Sequence, residues 1–301
     1  ENILKSAYLQ KATSGLTFTE AMRYFARDYE EFQLIVEGKT GIISLSHDPS
    51  DGPNYRDYYR LKTNGLNESI YDRNNLDVLP KYEALLGFLP LSLARNPEKA
   101  FVVGYGGGFT VNFLTSTDMR EVFVAELEEG IIEAADFVHR GDNPLLKRKN
   151  LKLEIEDALF LLASRAHGPF DIIVSQPSHS WLAGVANLFT EEFFLTVKDN
   201  LSEQGVFSQW LNLYNMNPEV LKSILHTFFA VFPEGYVFTG AGDEELIMIG
   251  SRKPLQFDLE KLDAMARNER YRRQLTQVPI GSAYDVLAQL VLTREEVLKL
   301  T

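Results

Sequence analysis

FVVGYGGG (101–108), followed by EVFVAEL (121–127), is the stretch whose reading decides the fold. Three apolar residues run into a cluster of glycines, and a second apolar run ends on an acid. The first run reads as a strand, the glycines as a sharp turn, and the residues between as a short helix. Outward from there the alternation continues. GIIEAADFVHR (130–140) reads as a helix, LKLEIEDA (151–158) as a third strand, FDIIVSQ (170–176) as a fourth and GVFSQWL (205–211) as a fifth, with helices near 159–166 and 190–200. A helix with Leu221, Ile224, Leu225, Phe228, Phe229 and Phe232 on one face comes next. GYVFTG (235–240) and ELIMIGS (245–251) then follow one another with no helix between them. Strand–helix alternation implies a mostly parallel sheet, and the closing pair implies an antiparallel last strand.

Towards the N-terminus, residues 34–47 and 56–71 are short, β-branched or aromatic, and broken by Gly and Asn, so they read as an antiparallel unit with hairpins around a loop at 48–54. Residues 1–35 read as helical from the spacing of Ala21, Tyr24, Phe25, Tyr29 and Phe32, and 78–95 as an amphipathic helix. Residues 255–301 read as helical, with Thr293 and Glu296 as a capping box. The fold class is therefore α/β: a Rossmann-like sheet with a small N-terminal antiparallel β unit. Three parts are expected, an N-terminal helix and hairpin unit (1–77), a nucleotide-binding domain (78–255) and a C-terminal helical extension (256–301).

Composition excludes several classes. The 301 residues carry 42 acids against 30 Lys and Arg, a net charge of −12, which argues against a nucleic-acid partner. The chain lacks cysteine, so disulfides, thiolate catalysis and thiolate metal sites fall away. Its five histidines (47, 139, 167, 179, 226) show no HxxxH or HxH spacing, and no metal is expected. No run of about 18 apolar residues is present.

The glycine turn carries the first chemical signal. Gly104, Gly106 and Gly108 let the backbone turn sharply and approach a ligand. A dinucleotide fingerprint needs a third glycine at 109, where Phe109 stands, so the dehydrogenase reading fails. Ligands of open α/β sheets sit at the carboxyl ends of the strands. Glu126 ends the second strand and is placed to accept both ribose hydroxyls, with Glu128 a second candidate. Asp157 and Ala158 end the third strand, where an acceptor suits an adenine amino group; the plain alternative for Asp157 is a helix N-cap. The fourth strand runs into Ser175-Gln176-Pro177-Ser178-His179-Ser180-Trp181. Substrate chemistry is expected there, with Trp181 either a pocket wall or a packing residue and His179 either a base or a solvated loop residue.

Together, VVGYGGG, AELEEGIIEAA, EDA, FDIIVSQPSHSWLAGVANLFTEEFF and GVFSQWLNLYNM resemble the spermidine synthase family, and most closely its branch fused to a membrane-transporter-like segment. LKTNGLNES (61–69) and LLGFLPL (85–91) extend the likeness to about residues 34–255, and GVANLFTEEFF (184–194) is its most specific part. The resemblance implies a class I S-adenosylmethionine-dependent transferase sheet. It implies that Gly104, Gly106, Gly108, Glu126 and Asp157 hold decarboxylated S-adenosylmethionine, or S-adenosylmethionine itself, as co-substrate. The reaction implied is transfer of the aminopropyl group to a small, putrescine-like amine, leaving methylthioadenosine. A homodimer and a membrane segment ahead of Glu1 on its cytoplasmic side belong to the same expectation.

The acceptor half departs from the family. Soluble members carry an Asp-Ser-Ser-Asp-like loop after the fourth strand; this chain has Ser175, Gln176 and Ser178. An amide takes no proton, yet the attacking amine must lose one. The catalytic expectation falls on Ser175, Gln176 and Tyr214, and the substrate contacts on Tyr82, Glu83 and Trp181. Glu68, Glu83 and Glu191 are the acids available as replacements, each with a plain alternative as a solvated or helix-capping acid. An aspartate at 176 is expected to raise amine-dependent activity. Three readings follow: an aminopropyltransferase, a methyltransferase, or a ligand-binding module that has lost catalysis.

Overall fold

The computed structural model describes residues 31–49, 57–76, 80–177, 184–214, 216–240, 244–275, 277–278 and 280–300. Its first element is a four-stranded antiparallel sheet of β1 (Glu31–Glu37), β2 (Ile42–Pro49), β3 (Asp57–Thr63) and β4 (Leu66–Asp72), paired in sequence order. The β3–β4 turn is Asn64-Gly65, both at positive φ, the turn chemistry that matches strand twist. Residues 31–35, expected as helix, are strand instead: Glu31-Phe32 and Leu34-Ile35 pair with β2, so tertiary pairing overrides the helical spacing. The rest of that expected helix lies outside the described residues.

Helix α1 (Lys81–Leu93) leads into the large sheet. Its parallel strands are β5 (Lys99–Val103), β6 (Glu121–Glu126), β7 (Leu151–Ile155), β8 (Phe170–Ser175) and β9 (Leu201–Asn212). Between them run α2 (Phe109–Thr115), α3 (Glu129–Val138), α4 (Ala158–Ser164) and, after β8, α5 (Glu191–Asn200). Helix α6 (Pro218–Val231) starts with Asn217 as N-cap, whose side chain accepts from Glu219 N–H, and Pro218 at the first position. Strands β10 (Tyr236–Thr239) and β11 (Glu245–Ser251) form the expected antiparallel pair, and β11 inserts between β10 and β9.

The C-terminal segment departs from expectation. Helices α7 (Leu259–Arg267), α8 (Glu269–Gln274), α9 (Ala283–Leu287) and α10 (Arg294–Leu300) are present, but Leu290–Thr293 forms a strand, β12, that extends the sheet beside β10. Four residues between two helices carry too little periodicity to be read as a strand. The capping acid is as expected: Glu296 accepts from both Thr293 N–H and Thr293 Oγ1.

The sheet order is β12-β10-β11-β9-β8-β5-β6-β7. The chain runs outward from β5 to β7, then returns to β8 on the other side of β5. That reversal opens a crevice at the carboxyl ends of β5 and β8. One core fills the face under α1, α2, α3 and the N-terminal sheet. The other is rich in phenylalanine, with Phe193, Phe194, Phe207, Phe228 and Phe232 in mutual contact under α5 and α6. Among the described residues, no helix is long and apolar enough to cross a membrane.

Candidate active site

The glycine turn has the conformation its sequence demands. Gly104, Gly106 and Gly108 all have positive φ. A Cβ on Gly108 would sit 2.8 Å from the Tyr105 ring, whereas one on Gly106 would meet nothing within 4 Å. Gly106 thus faces open space at the carboxyl end of β5, where a ligand would approach.

Glu126, 6% exposed, ties this turn to β6. Its Oε2 accepts from Tyr105 N–H at 2.7 Å and its Oε1 from Glu128 N–H at 2.9 Å. Burial pushes its carboxyl up, against the backbone donors of Glu128, Tyr105, Gly106 and Leu127, which pull it down.

Glu128 turns elsewhere. Its two oxygens accept from Lys39 N–H and Thr40 N–H, both at 2.7 Å, and from Thr40 Oγ1 at 2.6 Å. All three donors belong to the β1–β2 turn, so Glu128 fastens the N-terminal sheet over the carboxyl end of β6. Both of its carboxylate oxygens are engaged by that turn. Arg73 makes a second fastening: its guanidinium donates to the carbonyls of Val138 and Phe137 at the end of α3 and lies 4.0 Å from the Tyr59 ring centre. Glu128→Ala is expected to loosen this docking, giving faster amide hydrogen exchange in 38–47 with α6 unchanged. Exchange in 38–47 unchanged from the parent would contradict the clamp.

Asp157 lies two residues beyond β7 rather than at its end. It is the N-cap of α4, accepting from Phe160 N–H at 2.9 Å through one oxygen, and it is exposed. The cap uses only Oδ1, so the cap and a contact through the second oxygen are compatible. Ala158 is buried behind it.

The expected acceptor residues divide across the sheet. Ser175 is fully buried, pairs with Val103 and Gln209, and alternates with Val174 so that its side chain meets the phenylalanine-rich core. It does not join the other expected acceptor residues. Gln176 turns to the opposite face. Its Nε2 donates to Glu83 Oε1 at 3.2 Å, and its Oε1 accepts from Thr110 Oγ1 at 3.0 Å. Glu83, in the first turn of α1, is 1% exposed, and its Oε2 has no hydrogen-bond partner among the described residues. Burial raises its carboxyl to about 8; Gln176 pulls it down, and Glu245 adds to the rise.

Tyr82 stacks near Trp210, with ring centres 5.8 Å apart, and burial pushes its phenol well up, with Glu83, Glu245, Tyr214 and Glu68 adding to the rise. Tyr214 is raised to about 12 by burial, with Glu245 and Glu68 contributing. The structure therefore gathers Tyr82, Glu83, Gln176 and Tyr214 with Glu68, and adds Glu245, Trp210 and Thr110, which the sequence reading missed. Glu245 stands opposite Asn212 in the β9–β11 pairing, 33 residues away in the chain, so only the sheet register brings it here. Glu191 is exposed in the first turn of α5, away from this group, as its solvated alternative has it; Thr190 is the N-cap. Trp181, Ser178 and His179 lie outside the described residues.

Residues 79–240 match the model of the spermine/spermidine synthase domain. The chain belongs to the spermine/spermidine synthase family. Among curated relatives, the polyamine aminopropyltransferase of Caldicellulosiruptor saccharolyticus is 22% identical over 209 residues, covering 66% of this chain and 74% of that one. A spermidine synthase solved with the transition-state analogue AdoDATO superposes with a TM-score of 0.69 at 19% identity, covering 90% of this chain and 88% of that one. Human methyltransferase-like protein 13, solved with SAH, gives 0.50 at 22% identity over 65% of this chain and 91% of that one. These likenesses establish the α/β fold shared by family members and methyltransferases. Among the described residues, no group of three or more His, Asp or Glu side chains is arranged to hold a metal.

Proposed function

We propose that this chain transfers an aminopropyl group from decarboxylated S-adenosylmethionine to a small amine. The observation that carries the reading is Glu83: a buried carboxyl raised to about 8, with one oxygen unpartnered among the described residues, in a group of tyrosines and acids beside the nucleoside crevice. A proton acceptor works best when its pKa lies near the operating pH. In the reaction, the amine gives its proton to Glu83 Oε2. Its nitrogen lone pair then attacks the propyl carbon next to the sulfonium. The carbon–sulfur bond breaks, its electrons return to sulfur, and methylthioadenosine leaves. Glu68 and Glu245 supply negative charge for a second ammonium group, and Tyr82, Tyr214 and Trp210 wall the chain between.

For the nucleoside, Gly104, Gly106 and Gly108 give close backbone approach, Glu126 meets the ribose hydroxyls and the free oxygen of Asp157 meets the adenine amino group. Support comes from the open space at Gly106, the strand-end positions of both acids, and family members that bind related ligands. Gln176, an amide where an acid is expected, favours a second reading, a module that binds the nucleoside without turnover.

The deciding experiment is calorimetric titration with methylthioadenosine, S-adenosylmethionine and its decarboxylated form, followed by product analysis with putrescine. Methylthioadenosine release supports transfer; tight binding without release supports the second reading; no binding ends both. Asp157→Ser, which keeps an N-cap oxygen, is expected to retain stability and lose nucleoside affinity about 10-fold or more. Unchanged affinity in the folded variant would remove Asp157 from the site.

A further inference from the structure

Gln176 stands where the family places part of its acidic loop, and an amide there looks like a loss of function. Its contacts point to a different role. Thr110 Oγ1 has a single hydrogen and lies 3.0 Å from Gln176 Oε1 and 3.2 Å from the Glu83 carbonyl, both of which only accept. With Oε1 accepting that hydrogen, the amide nitrogen donates to Glu83 Oε1 at 3.2 Å. Thr110 sits in the first turn of α2, directly after the glycine turn, and Glu83 in the first turn of α1. One short relay thus links the nucleoside loop, the end of β8 and the buried carboxyl.

We propose that Gln176 is a positioning residue: held by Thr110, it fixes Glu83 by one oxygen and leaves the other to face the acceptor amine. The inference rests on the reading of Glu83 as proton acceptor. It reverses the expectation that an aspartate at 176 would help. Aspartate is a methylene shorter and puts a second negative charge against a desolvated acid, while an isosteric glutamate keeps the reach and still sets charge against charge. The other groups facing Glu83 are Glu245 from β11, Tyr71 from β4 and Tyr82 beside it on α1. Helix α7 also packs on α1, but its Lys261 is bound at the far end, on the Leu91 and Ala94 carbonyls.

The test is a carboxyl NMR titration of the whole chain labelled with 13C at the glutamate δ position, with Glu83 assigned by the signal lost in Glu83→Gln. Gln176→Met keeps the shape and removes the donor. It is expected to raise the Glu83 midpoint by about one pH unit. Thr110→Val, which frees the amide, is expected to raise it less, and Gln176→Glu to raise it most. If Gln176→Met fails to fold, Thr110→Val and Gln176→Glu carry the test. A midpoint unmoved in the folded variants would overturn the proposal. The titration needs no substrate, so it decides the role of Gln176 even if the parent chain shows no aminopropyl transfer, an outcome that would instead overturn the functional reading.

Discussion

At pH 8, Glu83→Gln is expected to unfold at a higher temperature than the parent chain while losing aminopropyl transfer by a factor of about 100 or more. The two effects share one cause. A carboxyl whose folded value is about 8 against an ordinary 4.5 keeps its proton after the unfolded chain has released its own. Between those two values the unfolded state binds fewer protons, so stability falls as pH rises. The penalty is absent below about 4.5, grows through neutrality and is complete above about 8. At 1.36 kcal/mol per pH unit, it costs roughly 3 kcal/mol by pH 7. Glutamine has nearly the same shape and no charge to desolvate, so it removes the penalty together with the proton acceptor. Thermal unfolding of both proteins from pH 4 to 9, beside their rates, reads the result. The melting curves should converge at the acid end and separate with rising pH. Parallel curves would show that the carboxyl is not desolvated, and an active Glu83→Gln would show that it takes no proton.

The sequence made the parallel core of the sheet legible because β5, β6 and β8 are near-continuous apolar runs, each stopped by a glycine or polar residue. The glycine turn and the acid ending β6 were legible for the same reason: strand ends are local features, and Gly104 and Glu126 stand at them. What stayed hidden depends on pairing across distance. Glu128 occupies a position suited to a ligand, and only the docking of the β1–β2 turn, about 88 residues away, engages its oxygens. Ser175 and Gln176 are neighbours in sequence but point to opposite faces, because strand alternation carries one residue past the last hydrogen-bonded pair. The contact between Gln176 and Glu83 spans 93 residues and has no periodic signature. The loop after β8 lacks the acids that the resemblance implies, while a buried acid stands on α1; composition of the loop alone could not reveal the second.

The other large effect is expected at Glu126. Glu126→Ala strips the acceptor from two backbone N–H groups, those of Tyr105 and Glu128, in a place where the parent side chain is 6% exposed. Each buried donor left unpaired costs about 1–3 kcal/mol, so the variant should lose roughly 2–6 kcal/mol, read as a lower denaturation midpoint. Glu126→Gln is the more informative change. It keeps one acceptor oxygen, yet turns an N–H group towards one of the two backbone donors. Its stability should fall between alanine and the parent, while its nucleoside affinity falls about as far as that of alanine. The reason is the lone-pair count. A carboxylate offers about four acceptor sites, and the two short backbone bonds take one on each oxygen. The remaining pair is what two ribose hydroxyls require, in competition with the more weakly placed Gly106 and Leu127 amides. Titrating 2′-deoxy and 3′-deoxy forms of methylthioadenosine against the parent and Glu126→Gln separates the two roles. If Glu126 meets the ribose, removing a hydroxyl weakens the parent and has little further effect on the variant. If the deoxy forms weaken both proteins equally, Glu126 serves only to hold the glycine turn against β6, and the ribose is recognised elsewhere.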